Sequence, residues 1–249
     1  MECLESQGDV ANSRLVRRQS YGAAMGLIHS VRWFVAMLLV FAAALVVGPA
    51  AAQTTSQDVP LKIVAFGDSL TAGYGLSAQD AFPAKLERAL KAKGVNVEIE
   101  NAGVSGDTAS GGLSRIDWSI PDGTDAVILE LGANDMLRGI DPKVTRDALD
   151  SILAKLKERK IAVLLCGMRA APNLGGEYVR GFESIFEDLA RKYDVVFYPF
   201  FLDGVATQAK LALRDGLHPN PAGVDVIVAG IMPKVEELIA RLGSRKSRS

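Results

Sequence analysis

The sequence predicts a single α/β domain built on a parallel sheet, and three observations carry that prediction. Short apolar runs alternate with longer segments of helical period, the pattern of βαβ units. Gly, Pro, Asn or Asp turn signals bound each run. Once an N-terminal leader is set aside, one domain of ordinary size remains, with no internal repeat, low-complexity linker or second domain.

The leader is read from its flanks. Arg14, Arg17, Arg18 and Arg32 precede an uncharged run, 33–47, which is followed by Gly48-Pro49 and Ala50-Ala51-Ala52. These are the charged, apolar and small-residue parts of a secretory signal peptide. The apolar run is too short to span a bilayer comfortably, so a cleaved signal is favoured over a permanent anchor. Residues 1–52 are therefore expected to leave, with cleavage after Ala52. The globular domain is placed at 53–243 and a basic, disordered tail at 244–249. Glu2, Glu5 and Asp9 are unusual in such a leader and point to Met25 as the true start. The expected destination is the periplasm or the exterior, with no membrane anchor after cleavage.

In the remaining chain, strands are expected at 62–66, 95–100, 126–131, 161–167 and 195–198. Helices are expected at 81–93, about 110–119, 142–157, 177–192 and 221–242. Asp141 and Pro142 mark one helix start directly, as N-cap and first helical residue. Open α/β sheets bind ligands beyond the carboxyl ends of their strands. The segments there are Gly67-Asp68-Ser69-Leu70, Asn101-Ala102-Gly103 and Gly132-Ala133-Asn134-Asp135, and Asp215-Gly216-Leu217-His218-Pro219 precedes the last helix.

Composition excludes several functions. With 28 Lys and Arg against 29 Asp and Glu there is no general electrostatic reason to bind nucleic acid. Two cysteines, Cys3 in the leader and Cys166 in an apolar run, build neither a disulfide scaffold nor a Cys-based zinc site. Cys166 reads as a buried structural thiol. Two histidines, His29 and His218, exclude a multi-imidazole metal centre.

After loss of the leader His218 is the only imidazole, so any histidine-dependent catalysis must use it. Asp215 lies three residues earlier, in a segment whose Gly216 and Pro219 prevent regular helix, and a turn there brings the carboxylate to the ring. On that spacing alone, a surface turn before the helix at Pro221 is the simpler explanation. Ser69 follows a buried strand directly; alone, it is as well explained as an N-cap. Backbone N–H groups at Ser69 and Gly103 and the amide of Asn134 can converge as oxyanion donors from three neighbouring strand ends. Together these residues supply a nucleophile, a base, an orienting acid and three donors on one edge of one sheet.

With the segments Ala65-Phe66-Gly67-Asp68-Ser69-Leu70-Thr71-Ala72-Gly73-Tyr74, Ser105-Gly106-Asp107-Thr108 and 131–139, the chain from about 60 to 242 resembles the GDSL or SGNH hydrolase superfamily. The family's four marker residues match Ser69, Gly103, Asn134 and His218. The resemblance implies a three-layer α/β/α sandwich with a flavodoxin-like five-stranded parallel sheet. It also implies a Ser69–Asp215–His218 triad, an oxyanion hole from Ser69, Gly103 and Asn134, an acyl-Ser69 intermediate, and no metal or other cofactor. Alanine at 133, where close relatives often carry a second glycine, is the one departure noticed. Activity is expected to fall as acid protonates His218.

Tyr74, Leu76, Met136, Leu137, Met168 and Pro172 follow the strands and are expected to line an apolar acyl channel. Asp68, Asp107 and Asp135 share that edge, and turn or supporting roles are expected of them rather than metal ligation. The expected substrates are small acyl esters and thioesters with an apolar tail, lysophospholipids included, handled by a monomeric enzyme. A carbohydrate O-acetyl esterase and a non-catalytic lipid-binding protein on the same fold are the alternatives.

Overall fold

A computed structural model of the protein describes residues 59–246. The expected signal peptide and residues 247–249 of the basic tail lie outside the described residues. In chain order the elements are β1 (Leu61–Gly67), α1 (Ser69–Ala72), α2 (Phe82–Ala92), β2 (Val97–Gly103), α3 (Ala109–Ser119), β3 (Ala126–Glu130), α4 (Ala133–Leu137), α5 (Pro142–Glu158), β4 (Ala162–Cys166), α6 (Gly176–Tyr193), β5 (Val196–Tyr198) and α7 (Pro221–Lys246). Short 3₁₀ turns stand at Ala78–Asp80, Pro172–Leu174 and Ala209–Leu211.

Among the described residues the five strands form one parallel sheet in the order β2-β1-β3-β4-β5. The order reverses between β1 and β3, which opens a crevice at their carboxyl ends. Helices α2 and α7 pack together on one face, while α3, α5 and α6 pack on the other, giving three layers. Burial follows from this arrangement. Every residue of β3 and β4 is buried, as parallel strands covered on both faces require. The edge strand β2 buries Val97 and Ile99 but exposes Glu98 and Glu100.

The helices present apolar stripes to the sheet. Phe182, Ile185, Phe186 and Leu189 of α6 recur at helical spacing and are all buried, with Phe182 and Phe186 edge to face at 5.5 Å. On the opposite face Phe82 of α2 meets Phe201 at 5.0 Å. Asp141 caps α5, its side chain accepting from Lys143 N–H, with Pro142 first in the helix.

Three boundaries differ from the expectations by more than one residue. β2 starts two residues late, because Val95 N–H closes the end of α2 on Leu90 O. It then runs on through Asn101-Ala102-Gly103, whose polar composition reads as a loop but which pairs with Ala65-Phe66-Gly67 of β1. Helix α7 continues past 242 to Lys246, so the first part of the expected disordered tail is helical. Gly243 is not followed by a helix-breaking residue.

One close approach positions the site. A Cβ on Gly103 would stand 2.2 Å from Ala72 N and 2.9 Å from Asp68 O, so only glycine lets α1 lie against the end of β2. The opposing atoms are backbone and cannot move aside singly. Gly103→Ala should therefore destabilise the protein by about 1–3 kcal/mol, measured by urea unfolding. An unchanged midpoint would show that this approach is slack.

Candidate active site

Ser69 is the first residue of α1, held at the carboxyl end of β1 by a helix only four residues long. Asp68 caps that helix: Leu70 N–H donates to Asp68 Oδ1 at 2.9 Å. Gly73, at φ +80°, ends it and returns its N–H to Ser69 O. The serine hydroxyl is thereby fixed on the rim of the sheet, and as the first helical N–H its amide has no intrahelical acceptor.

His218 reaches Ser69 from the segment before α7. Its Nε2 lies 2.9 Å from Ser69 Oγ and its Nδ1 lies 2.7 Å from Asp215 Oδ2. Asp215 makes the expected turn, accepting from Leu217 N–H and His218 N–H on Oδ1. Those two amides and the ring pull the Asp215 pKa down to about 2, with the His218 amide contributing most. The carboxylate is thus ionised throughout the neutral range. The loop itself is pinned by Asn220, which caps α7 by accepting from Gly223 N–H and donates to Lys210 O and Ala212 O. Tyr74 lies against the His218 ring, centroids 4.5 Å apart and planes tilted by 36°.

The three expected oxyanion donors stand at neighbouring strand ends, but two of them already have acceptors. Gly103 N–H donates to Asn101 Oδ1 at 3.0 Å. Asn134 Nδ2 donates to Asp68 Oδ2 and to Asp107 O, both at 2.9 Å. Asn134 is the second residue of α4, whose N-cap Gly132 takes φ +117°. The positive φ falls on 132 and not on 133, so alanine at 133 carries no backbone strain.

The three acids near the site are hydrogen-bonded supports. Asp107 receives Arg115 Nε at 2.6 Å, and Asp135 receives Ala109 N–H and Thr145 Oγ1 at 2.8 and 2.9 Å. Arg115 also donates to Gly67 O and Ala102 O, tying the ends of β1 and β2 together, with its guanidinium 4.0 Å from the Phe66 ring centre. Sequence reasoning missed Arg115, Thr71 and Glu130, all buried. A charged residue inside an otherwise apolar strand, Glu130 in Ala126-Val127-Ile128-Leu129-Glu130, is the signal that would have found one of them.

A cleft of about 860 Å³ opens from Ser69 and His218. Met136, Leu137, Met168 and Pro172 line it, together with Ala170, Val179, Phe200, Leu202 and Leu217. Two expected wall residues do not line it. Leu76 packs instead against the hydrophobic core, and Tyr74 covers His218 from the solvent side, 53% exposed. Both follow from the tight α1 turn at Gly73, which directs the chain away from the cleft. Gly103 is likewise not in the cleft wall. Cys166 is buried in β4 and has no disulfide partner among the described residues.

Burial, above all, raises the Asp68 pKa to about 6, against the pull of its hydrogen bonds. Folded protein then holds a proton that the unfolded chain releases, so this group reduces stability as pH rises through that window. The Tm of Asp68→Asn relative to wild type should accordingly increase between about pH 4 and about pH 7. A pH-independent difference would contradict the assignment.

Comparison with known proteins agrees with the geometry. Residues 65–226 match the model of the GDSL-like Lipase/Acylhydrolase family. The chain is 38% identical over 161 residues to an arylesterase from Vibrio mimicus, covering 64% of this chain and 80% of that one. It is 34% identical to thioesterase 1/protease 1/lysophospholipase L1 of Escherichia coli K12, covering 71% of this chain and 84% of that one. Among solved structures, AlinE4, an SGNH-hydrolase family esterase, superposes with a TM-score of 0.61 at 48% identity, over 72% of this chain and 96% of that one. A serine, a histidine and a carboxylate in hydrogen-bonded series at the mouth of an apolar cleft, on this sheet order, place the chain in the GDSL-like lipase/acylhydrolase family.

Proposed function

We propose that this carboxylic ester hydrolase works through an acyl-Ser69 intermediate on esters and thioesters whose acyl group is apolar and longer than acetyl. The observation that carries the reading is the 2.9 Å contact of His218 Nε2 with Ser69 Oγ at the entrance to an apolar cleft. Ser69 Oγ attacks the acyl carbonyl as its proton passes to His218 Nε2. Asp215 holds Nδ1–H and offsets the charge of the imidazolium. His218 then gives the proton to the departing alcohol or thiol. Water repeats the attack on the acyl-serine, with His218 taking its proton and returning it to Ser69 Oγ as the acyl–oxygen bond breaks and the carboxylic acid leaves.

The tetrahedral oxyanion is assigned to the N–H groups of Ser69 and Gly103 and to the Asn134 amide. For Gly103 and Asn134 this means sharing a proton now donated to Asn101 Oδ1, Asp68 Oδ2 or Asp107 O. Such donors commonly tighten onto substrate only in the reacting complex. The cleft volume falls in the ordinary range for ligand pockets and its wall is mostly side chains of Met, Leu, Ala, Val and Phe, which suits a hydrocarbon tail. A lysophospholipid presents the same ester and tail. Residues 1–52 are read as an export signal, and no helix among the described residues is long and apolar enough to cross a membrane.

Hydrolysis of p-nitrophenyl esters from acetyl to palmitoyl by the purified enzyme tests the reading. Turnover should peak at medium or long chains and vanish in Ser69→Ala. An acetyl-only profile would instead favour carbohydrate deacetylation, and no turnover at any length would favour a lipid-binding protein. Asn134→Ala should lower kcat by about 10²–10³ with little change in KM. Near wild-type kcat in that variant would remove Asn134 from the oxyanion site.

A further inference from the structure

Beneath the nucleophile lies a pair of carboxyl groups that the reaction above does not use. Glu130, the last residue of β3, and Asp68 are both wholly inaccessible to solvent. Among the described residues no lysine, arginine or histidine forms an ion pair with either of them. The donors divide unequally between the two. Asp68 receives the Leu70 amide on Oδ1 and the Asn134 amide on Oδ2, both at 2.9 Å. Glu130 receives the Thr71 hydroxyl at 2.8 Å and a long 3.4 Å approach from Asp68 N–H, both on Oε2. Glu130 Oε1 is buried with no hydrogen-bond partner among the described residues.

Two adjoining carboxylates in a site without a cation cannot both stay charged. The distribution of donors decides which one gives way. Asp68 has the fixed N–H groups that stabilise a carboxylate, whereas Glu130 has one neutral hydroxyl and an oxygen with nothing to meet it. We propose that Glu130 is a positioning residue, held as the neutral acid, whose proton keeps Asp68 the anion that orients the Asn134 amide toward the reacting carbonyl.

The titratable groups facing Glu130 agree with this. Burial and the Asp68 charge both push the Glu130 carboxyl well above the usual carboxylate range. Cys166, its register neighbour on β4, is itself pushed up by burial and so contributes no charge at neutral pH. His218 acts on Asp68 and favours its ionised form. The packing is built around the pair as well. A Cβ on Gly67 would fall 2.2 Å from Thr71 Oγ1 and 2.6 Å from Glu130 Oε2, so the glycine that opens Gly67-Asp68-Ser69-Leu70 makes the room that Thr71 and Glu130 fill.

The proposal rests on the oxyanion role assigned to Asn134, and the test separates the two. Glu130→Gln keeps the shape, the Thr71 acceptor and the neutral charge; Glu130→Met keeps the volume and loses the acceptor. Each is compared with wild type for Tm, KM and kcat, normalised to active sites by phosphonate titration. Glu130→Gln should keep kcat within about threefold, while Glu130→Met should hold or raise Tm yet lower kcat by about tenfold at unchanged KM. In an Asn134→Ala background the methionine should add less than about twofold, because the two act on one donor.

Wild-type turnover by Glu130→Met overturns the proposal, as does a loss that multiplies with that of Asn134→Ala. A glutamine variant as slow as the methionine also overturns it, by showing that the ionised acid is required. Wild-type turnover by Asn134→Ala alone removes the oxyanion role itself, and with it the proposal.

Discussion

The hydrogen bond between Ser69 and His218 joins residues 149 apart in sequence, and the rest of the fold is the device that brings them together. Ser69 stands at the end of the second-from-edge strand and His218 just before the last helix, so sheet and helices must all be in place before the contact exists. Neither residue has local structure that could make it alone. The serine depends on a four-residue helix capped by Asp68, and the histidine on a turn closed by Asp215 and Asn220. Non-local contacts of this kind are made only after much loop-closure entropy has been offset by the buried sheet.

Most of this was legible in the sequence because the relevant signals are local or compositional. Five apolar runs marked five strands, and His218, the one histidine outside the expected leader, forced attention onto Asp215-Gly216-Leu217-His218. The central strands β3 and β4 fell within one residue or so of their expected limits, because burial on both faces makes them continuous apolar runs. What failed was decided by tertiary structure. Asn101-Ala102-Gly103 is polar yet strand, because β1 offers it a ladder. Leu76 and Tyr74 left the cleft because a left-handed glycine turns the chain after α1. Whether Asn134 donates to an oxyanion or to Asp68 and Asp107 depends on atoms 66 and 27 residues away, a fact no spacing rule contains.

The site also shows where stability has been given up. Among the described residues Asp68 and Glu130 are buried with no ion-pair partner, and Oε1 of Glu130 with no hydrogen-bond partner, in a core that is mostly apolar. Buried polar groups of this kind disfavour folding unless a network satisfies them. Here the network is only partly satisfied and sits directly under the nucleophile. Arg115 supplies the complementary anchor, fixing two strand ends and Asp107, whose carbonyl accepts the second Asn134 proton. Rigid orientation of one amide thus depends on a charged clamp on one side and an acid pair on the other.

Activation of Ser69 by His218 is open to direct measurement: the enzyme is reacted with a p-nitrophenyl alkylphosphonate and the adduct located by peptide mass spectrometry. One adduct per chain is expected, on Ser69, forming at least about a hundredfold more slowly in His218→Ala. An adduct on another residue, or equal labelling without His218, would contradict it.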